Sequence, residues 1–143
     1  MQRISMAFGT FDILHPGHIS YLREASRHGK LIVVVSRDRS VMRIKHRKPV
    51  FGQSSRLATV AALRFVHRAV LGGTARKPTD MYRIILKFRP DTLVFGYDQK
   101  ADLPRIREFL EKNGIRPKII RAKPFNKNYY KSSKLARRIV QNL

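Results

Sequence analysis

Two histidines three residues apart, His15 and His18, stand on either side of Pro16 and Gly17. If a helix begins there, positions i and i+3 share one face of its first turn, and both imidazoles can point at the same phosphate chain. Their N–H groups could donate hydrogen bonds as charge builds in a transition state. The run Gly9-Thr10-Phe11-Asp12-Ile13-Leu14 leads into them from the apolar stretch Ile4 to Phe8, so the segment reads strand, turn, helix. Gly9 lets a backbone pass close to a ligand, and a helix opening near Pro16 or Gly17 aims free amides and a partial positive charge at what lies above it. An anion site is expected there.

Other groups could serve the same chemistry. Ser132 and Ser133 precede Leu135, Ile139 and Val140, so either hydroxyl is expected to cap a final helix and could also reach a phosphate. Asp98 follows the apolar run Thr92 to Phe95; it could accept a hydrogen bond from a ligand or cap the next helix. Lys45 and Lys48 lie where Lys and Arg are dense, and a solvated loop accounts equally well for either one alone. Phe125, Tyr129 and Tyr130 read more readily as core or rim aromatics than as a base-stacking platform.

The elements that must position these groups alternate. Strands are expected at Ile4 to Phe8, Leu31 to Ser36, Ala69 to Leu71, Thr92 to Phe95 and Lys118 to Ile120. Helical spacing of apolar residues predicts helices over Gly17 to Arg27, Ser54 to Phe65 and Asp80 to Phe88, the last stopped by Pro90, and over Leu103 to Asn113 ahead of Gly114. This βαβ rhythm implies an α/β fold, a Rossmann-like open parallel sheet of five strands with helices on both faces, in a single domain spanning 1–143. Such sheets bind ligands beyond the carboxyl ends of their strands, so the site should lie after the first and fourth. Arg37 to Gly52 reads as the longest irregular piece and as a mobile cover.

Composition narrows the function classes. The chain has no cysteine, which excludes disulfides, thiolate metal sites and thiol catalysis and fits a reducing compartment; a cytoplasmic location is expected. No apolar run approaches the roughly 18 residues of a membrane span, so no membrane partner is expected. Thirty-one Lys and Arg against 9 Asp and Glu give a net charge of +22, so the partners should be anionic. Nucleic acid is one candidate, but the basic residues are scattered along the whole chain, and a solvated surface explains most of them. A homodimer is compatible with the sequence, which does not fix the oligomeric state.

Strand, Gly-Thr-Phe-Asp, then His-Pro-Gly-His opening a helix resembles the signature of the cytidylyltransferase-like nucleotidyltransferases, and within that superfamily it looks most like the archaeal FAD synthases. Lys131-Ser132-Ser133-Lys134 is a partial match to the second signature of the family, with lysines in place of an apolar residue and a threonine. Arg37-Asp38, Lys45 with Arg47-Lys48-Pro49, Arg56, and Gly96-Tyr97-Asp98-Gln99 fit the same pattern, so the resemblance spans nearly the whole chain.

The resemblance implies attack of an acceptor phosphate on the α-phosphorus of a nucleoside triphosphate, with His15 and His18 stabilising the α-phosphate and Lys45 neutralising the outer phosphates. Thr10 and Phe11 would offer backbone contacts, and Pro16 and Gly17 would shape the turn. Asp98 would meet a ribose hydroxyl or base amine, Phe125 the base, and Ser132 and Ser133 a phosphate. Lys48 and Arg56 would meet the outer phosphates or the acceptor. A divalent cation such as Mg²⁺ is expected with the triphosphate, its identity unknown. ATP and FMN are the substrates this resemblance favours, with glycerol 3-phosphate and CTP as the alternative pair. From another class, a basic nucleic-acid-binding module on the same scaffold stays open.

Overall fold

The computed structural model describes residues 2–74, 76–77, 80–126 and 130–143, with Ser132 described by its backbone alone. Five strands pair throughout in parallel: β1 (Ile4–Gly9), β2 (Lys30–Val35), β3 (Arg68–Leu71), β4 (Thr92–Phe95) and β5 (Lys118–Arg121). Their order across the sheet is β3-β2-β1-β4-β5. The order reverses between β1 and β4, which opens a crevice at their carboxyl ends where the loops leave in opposite directions.

The six helices described are α1 (Pro16–Ser26), α2 (Asp38–Lys45), α3 (Gln53–Ala61), α4 (Asp80–Phe88), α5 (Leu103–Lys112) and α6 (Ser132–Gln141). Strand residues alternate between two cores, as the period of two requires. Leu31, Val33 and Val35 join Ala7 and Val94 under Leu22 and Ala25 of α1 and Val60 of α3. Ile32 and Val34 join Met6, Leu93 and Phe95 under Tyr82 and Ile85 of α4 and Ile106 and Leu110 of α5. Burial on both faces is why β2 and β4 are runs of aliphatic and aromatic residues and do not alternate with polar ones. The expected five-stranded α/β architecture is therefore present, with strand ends within a residue or two of expectation.

Three expectations are corrected. Arg37 to Gly52 is not irregular throughout, because α2 occupies its first half and ends on His46 in the left-handed region at φ 56°. Only Ser40 and Val41 of α2 are buried, so the segment has almost no apolar stripe. Its acidic start at Asp38 and basic last turn at Arg43 and Lys45 suit a helix dipole instead. Helix α3 ends at Ala61, not near Phe65, and a turn closed by Leu63 N–H to Val60 O and Val66 N–H to Leu63 O delivers the chain to β3. At α6 the N-cap is Lys131 and not a serine: Leu135 N–H donates to Lys131 O at 2.9 Å, which places Ser132 and Ser133 inside the first turn.

Candidate active site

The crevice begins where β1 ends. Phe11 turns back under the strand with its backbone in the left-handed region at φ 54°, and its ring is buried. A Cβ on Gly9 would stand 2.7 Å from Phe11 Cζ, so glycine at that position makes room for the phenyl ring. The same ring lies edge-on to His18 at 5.4 Å between centroids. Phe11 is thus a floor for the histidine turn.

His15 is the N-cap of α1, and its Nδ1 accepts the main-chain amides of Gly17 at 3.1 Å and His18 at 3.4 Å. His18 reciprocates, its Nδ1 accepting the amide of His15 at 3.3 Å. A nitrogen that accepts cannot carry the proton, so both neutral rings hold theirs on Nε2, and the Nε2–H groups remain as donors. The rings lie near-parallel, 3.7 Å apart at 23°. Gly17 is required for this arrangement, since a Cβ there would approach His15 Cε1 to 2.8 Å. The expectation of free amides at the start of α1 is corrected: Pro16 has none, and those of Gly17 and His18 are spent on His15. The donors left at the start of α1 are the two imidazole N–H groups.

Both rings are held neutral. Burial lowers the pKa of His15. Burial, then the neighbouring His15 and then Lys45, push His18 down to about 3. Lys45 is exposed at the end of α2, yet desolvation and Arg47 lower its pKa while Asp12 and Asp98 act in the opposite sense. Its ammonium therefore stands within the field of His18 and of carboxylates from both sides of the crevice.

Arg56 has a different place from the one expected. Its side chain is 0% exposed, and the guanidinium donates from Nε to Phe51 O at 2.9 Å, from Nη1 to Thr10 O at 2.8 Å and from Nη2 to Asp38 Oδ1 at 2.8 Å. With those donors committed it braces the β1 turn and the start of α2, and it does not present itself to a phosphate. Asp12 completes the brace, its two carboxylate oxygens accepting the amides of Val50 and Phe51 at 2.8 Å each. Thr10 enters through its carbonyl. Lys48 is exposed, and no contact among the described residues ties it to the histidine turn.

On the β4 side, Gln99 donates to Phe8 O and accepts from Gly96 N–H, both at 2.6 Å, which bridges the two diverging strands. Arg121 donates to Gly96 O at 3.0 Å and to Gln99 O at 2.8 Å. Tyr21 donates to Val94 O at 2.6 Å while accepting Phe8 N–H at 3.1 Å, and burial raises its pKa. Asp98 does not cap α5, a role taken by Asp102; its carboxylate faces Lys131 Nζ at 3.6 Å.

The segment ahead of α6 meets the histidine turn through its aromatic residues. Tyr130 lies parallel to His15 at 5.9 Å and 16°, and Phe125 parallel to Tyr130 at 6.0 Å and 14°. Phe125 is exposed and so ends a column that runs His18, His15, Tyr130, Phe125. Tyr129 and the side chain of Ser132 lie outside the described residues, and Ser133 is exposed in the first turn. The structure thus gathers His15, His18, Lys45 and Asp98 around one crevice, reaches Phe125 through Tyr130, and removes Arg56 to the interior. Asp12, Tyr21 and Gln99 were missed as organisers; Asp12 and Gln99 stood inside the quoted motifs, whereas nothing local marked Tyr21.

A family model described as cytidylyltransferase-like matches residues 6–138. The chain is 48% identical over 121 residues to a protein of Aciduliprofundum boonei named FAD synthase, covering 84% of this chain and 78% of that one. It is 39% identical over 137 residues to a FAD synthase of Thermoplasma volcanium, covering 95% and 93%. A crystal structure described as the lipopolysaccharide core biosynthesis protein of Thermoplasma volcanium superposes with a TM-score of 0.80 at 39% identity, covering 88% of this chain and all of that one.

Proposed function

The chain belongs to the cytidylyltransferase-like family, and from that premise we propose that it is an FMN adenylyltransferase, transferring the AMP moiety of ATP to FMN to give FAD and pyrophosphate. The relatives named FAD synthase support this acceptor and this nucleotide. The observation that carries the chemistry is the reciprocal histidine cap, which leaves two neutral Nε2–H donors side by side at the β1–β4 crevice.

An FMN phosphate oxygen attacks the α-phosphorus in line, the bond to the bridging oxygen of the β-phosphate breaks, and pyrophosphate departs. No protein nucleophile is required, so the contribution of the chain is positioning and charge stabilisation. With His18 held neutral, the histidines act as hydrogen-bond donors to the α-phosphate and the bridging oxygen, in an arrangement set before substrate arrives. Lys45 balances charge on the leaving pyrophosphate, and Lys48 serves the outer phosphates or the acceptor. Thr10, Phe11, Pro16 and Gly17 shape the floor, Asp98 faces the ribose or base, Phe125 extends the aromatic column toward the base, and Ser132 and Ser133 meet phosphate from the first turn of α6. Arg56 contributes by holding the turn.

Among the described residues no cluster of three or more His, Asp or Glu could hold a metal ion. The carboxylates nearest the crevice are already engaged, Asp12 by two amides and Asp98 by Lys131. A divalent cation would therefore enter on the oxygens of the triphosphate and on water. Among the described residues no helix is long and apolar enough to cross a membrane. A cytoplasmic single-domain enzyme is part of the same proposal.

The test is release of pyrophosphate with FMN plus ATP, run beside glycerol 3-phosphate plus CTP. Turnover with the first pair is expected, and turnover with the second pair alone would overturn the flavin assignment.

A further inference from the structure

Cations scattered along the sequence are gathered by the topology. All five strands are parallel, so each begins at the same edge of the sheet, opposite the histidine crevice. Lys30, Arg68 and Lys118 are the first residues of β2, β3 and β5, and Arg3 immediately precedes β1. The backbone ties this edge together: Lys30 N–H donates to Arg3 O at 2.9 Å, Asp91 N–H to Ile4 O at 2.8 Å and Lys118 N–H to Asp91 O at 2.9 Å. Arg89 and Arg116 stand just ahead of β4 and β5, and Arg27 at the end of α1. All these residues are exposed, and among the described residues none of them enters an ion pair. Arg68 lies over the ring of Phe88 at 5.5 Å.

Carboxylates are distributed the other way. Asp12, Asp38, Asp80, Asp98 and Asp102 follow strand ends or open helices on the crevice side. Asp91 is at the amino edge, but its Oδ2 accepts the amide of Ile4 at 2.8 Å. Glu24 accepts the amide of Lys123 at 3.0 Å, Glu108 faces Lys112 at 3.1 Å, and Glu111 stands in the last turn of α5. Helices α1, α4 and α5 end at this edge, and their carbonyl dipoles favour a cation there, which accounts for Arg27 and Arg89. The dipoles do not account for cations at the strand positions Arg3, Lys30, Arg68 and Lys118.

We propose that the amino edge of the sheet is a docking surface for double-stranded DNA, held through its phosphates without readout of the bases. Neighbouring strands are about 5 Å apart, so the row from Arg68 on β3 to Lys118 on β5 runs roughly 20 Å. Duplex DNA carries a charge about every 1.7 Å along its axis, so several phosphates fall within that span. Single strands are held by stacking bases on aromatic rings. The exposed phenylalanines, Phe51 and Phe125, belong to the crevice side, so this edge offers a single strand no such platform. Lys and Arg are donors only, so the row has no acceptor with which to recognise the 2′-hydroxyl of RNA. Because the row and the crevice lie at opposite edges, DNA and substrates bind independently.

The test is fluorescence anisotropy of a labelled DNA duplex of mixed sequence, titrated with the full chain over a series of salt concentrations. Two triple variants remove the same charge: Arg3→Gln/Lys30→Gln/Lys118→Gln at the edge, and Arg105→Gln/Arg107→Gln/Arg137→Gln on exposed turns of α5 and α6. The wild type should bind with a slope of log K against log salt of about −4, as for four to five phosphates. The edge variant should bind about 10²-fold more weakly at 0.15 M salt or so, with the slope reduced by about 3, and the control variant should stay within about threefold of the wild type. Thermal melts and the rate of FAD formation should be unchanged in both. Equal losses in the two variants would make the binding a property of net charge and overturn the proposal. So would displacement of the duplex by ATP, tighter binding of single-stranded DNA or of RNA, or no binding to the duplex at low salt.

Discussion

His15 Nδ1 accepts the amide of His18 at 3.4 Å, and His18 Nδ1 accepts the amide of His15 at 3.3 Å. Each ring is therefore anchored by the backbone of the other, and the tautomer of both is set by the same exchange. Stability and chemistry reside on different nitrogens of one ring. Replacing His15 by Asn keeps an oxygen that can cap the helix, so stability should stay within about 0.5 kcal/mol of the wild type. His15→Ala should lose about 1 kcal/mol. Both variants should lose about 10²- to 10³-fold in kcat, since alanine has no donor and the amide of asparagine, with its oxygen on the cap, is too short to reach the place of Nε2–H. Urea unfolding beside initial rates checks this; an active Asn variant would remove the donor role.

Acid should destabilise the protein through His18. Its pKa is about 3 in the fold against 6.5 in the unfolded chain, so the unfolded state binds the proton first. The contribution of the neutral ring is complete above pH 6.5 and is lost as pH falls from there toward 3. His15, shifted in the same direction, adds to the effect. Urea midpoints at pH 7 and pH 5 should differ more for the wild type than for His18→Gln. The rate should show no limb from His18 near pH 6.5, because its working form stays neutral.

Arg56 should behave as a brace. Removing a fully buried guanidinium takes the donors from Thr10 O and Phe51 O, while the half-exposed Asp38 can turn to water, so Arg56→Met should cost about 1–3 kcal/mol in stability. A direct phosphate ligand would instead weaken substrate binding in a protein of unchanged stability. Thermal melts beside the KM for ATP distinguish the two.

Gly17→Ala is a small change with a specific target. The added Cβ would stand 2.8 Å from His15 Cε1 and 3.2 Å from Tyr130 Cβ, so the imidazole must swing off its amides. The protein should fold with a loss of about 1–2 kcal/mol, in line with a lost cap, and kcat should fall as in His15→Ala. Wild-type activity in this variant would mean that the ring tolerates displacement.

The aromatic column predicts that Tyr130 positions His15. Tyr130→Phe should retain most of the rate, whereas Tyr130→Ala should lower kcat by about tenfold through a looser His15 ring. Equal losses in both variants would transfer the role from the ring to the hydroxyl.

Much of this was legible in the chain itself. Aliphatic runs such as Leu31 to Val35 mark strands buried on both faces, and helical spacing between them implies crossovers, so the parallel sheet and its crevice follow from local pattern alone. The histidine turn was legible because its strand, turn and helix are contiguous. What tertiary structure decided is where polar groups find partners, since those partners are distant in sequence. Arg56 meets Asp38 at 18 residues' separation and Thr10 at 46, so its burial has no local signature and its charge looked like that of any surface arginine. The amides at the start of α1 looked free until the His15 ring was seen folded onto them. Helix α2 lacks an apolar stripe and takes shape between Gln53, Arg56 and the strand ends. Residue types and spacing determined which chemistry was available; the packed fold decided which nitrogen, which carboxylate oxygen and which arginine would be left to perform it, because a buried polar group is settled by the partner that reaches it.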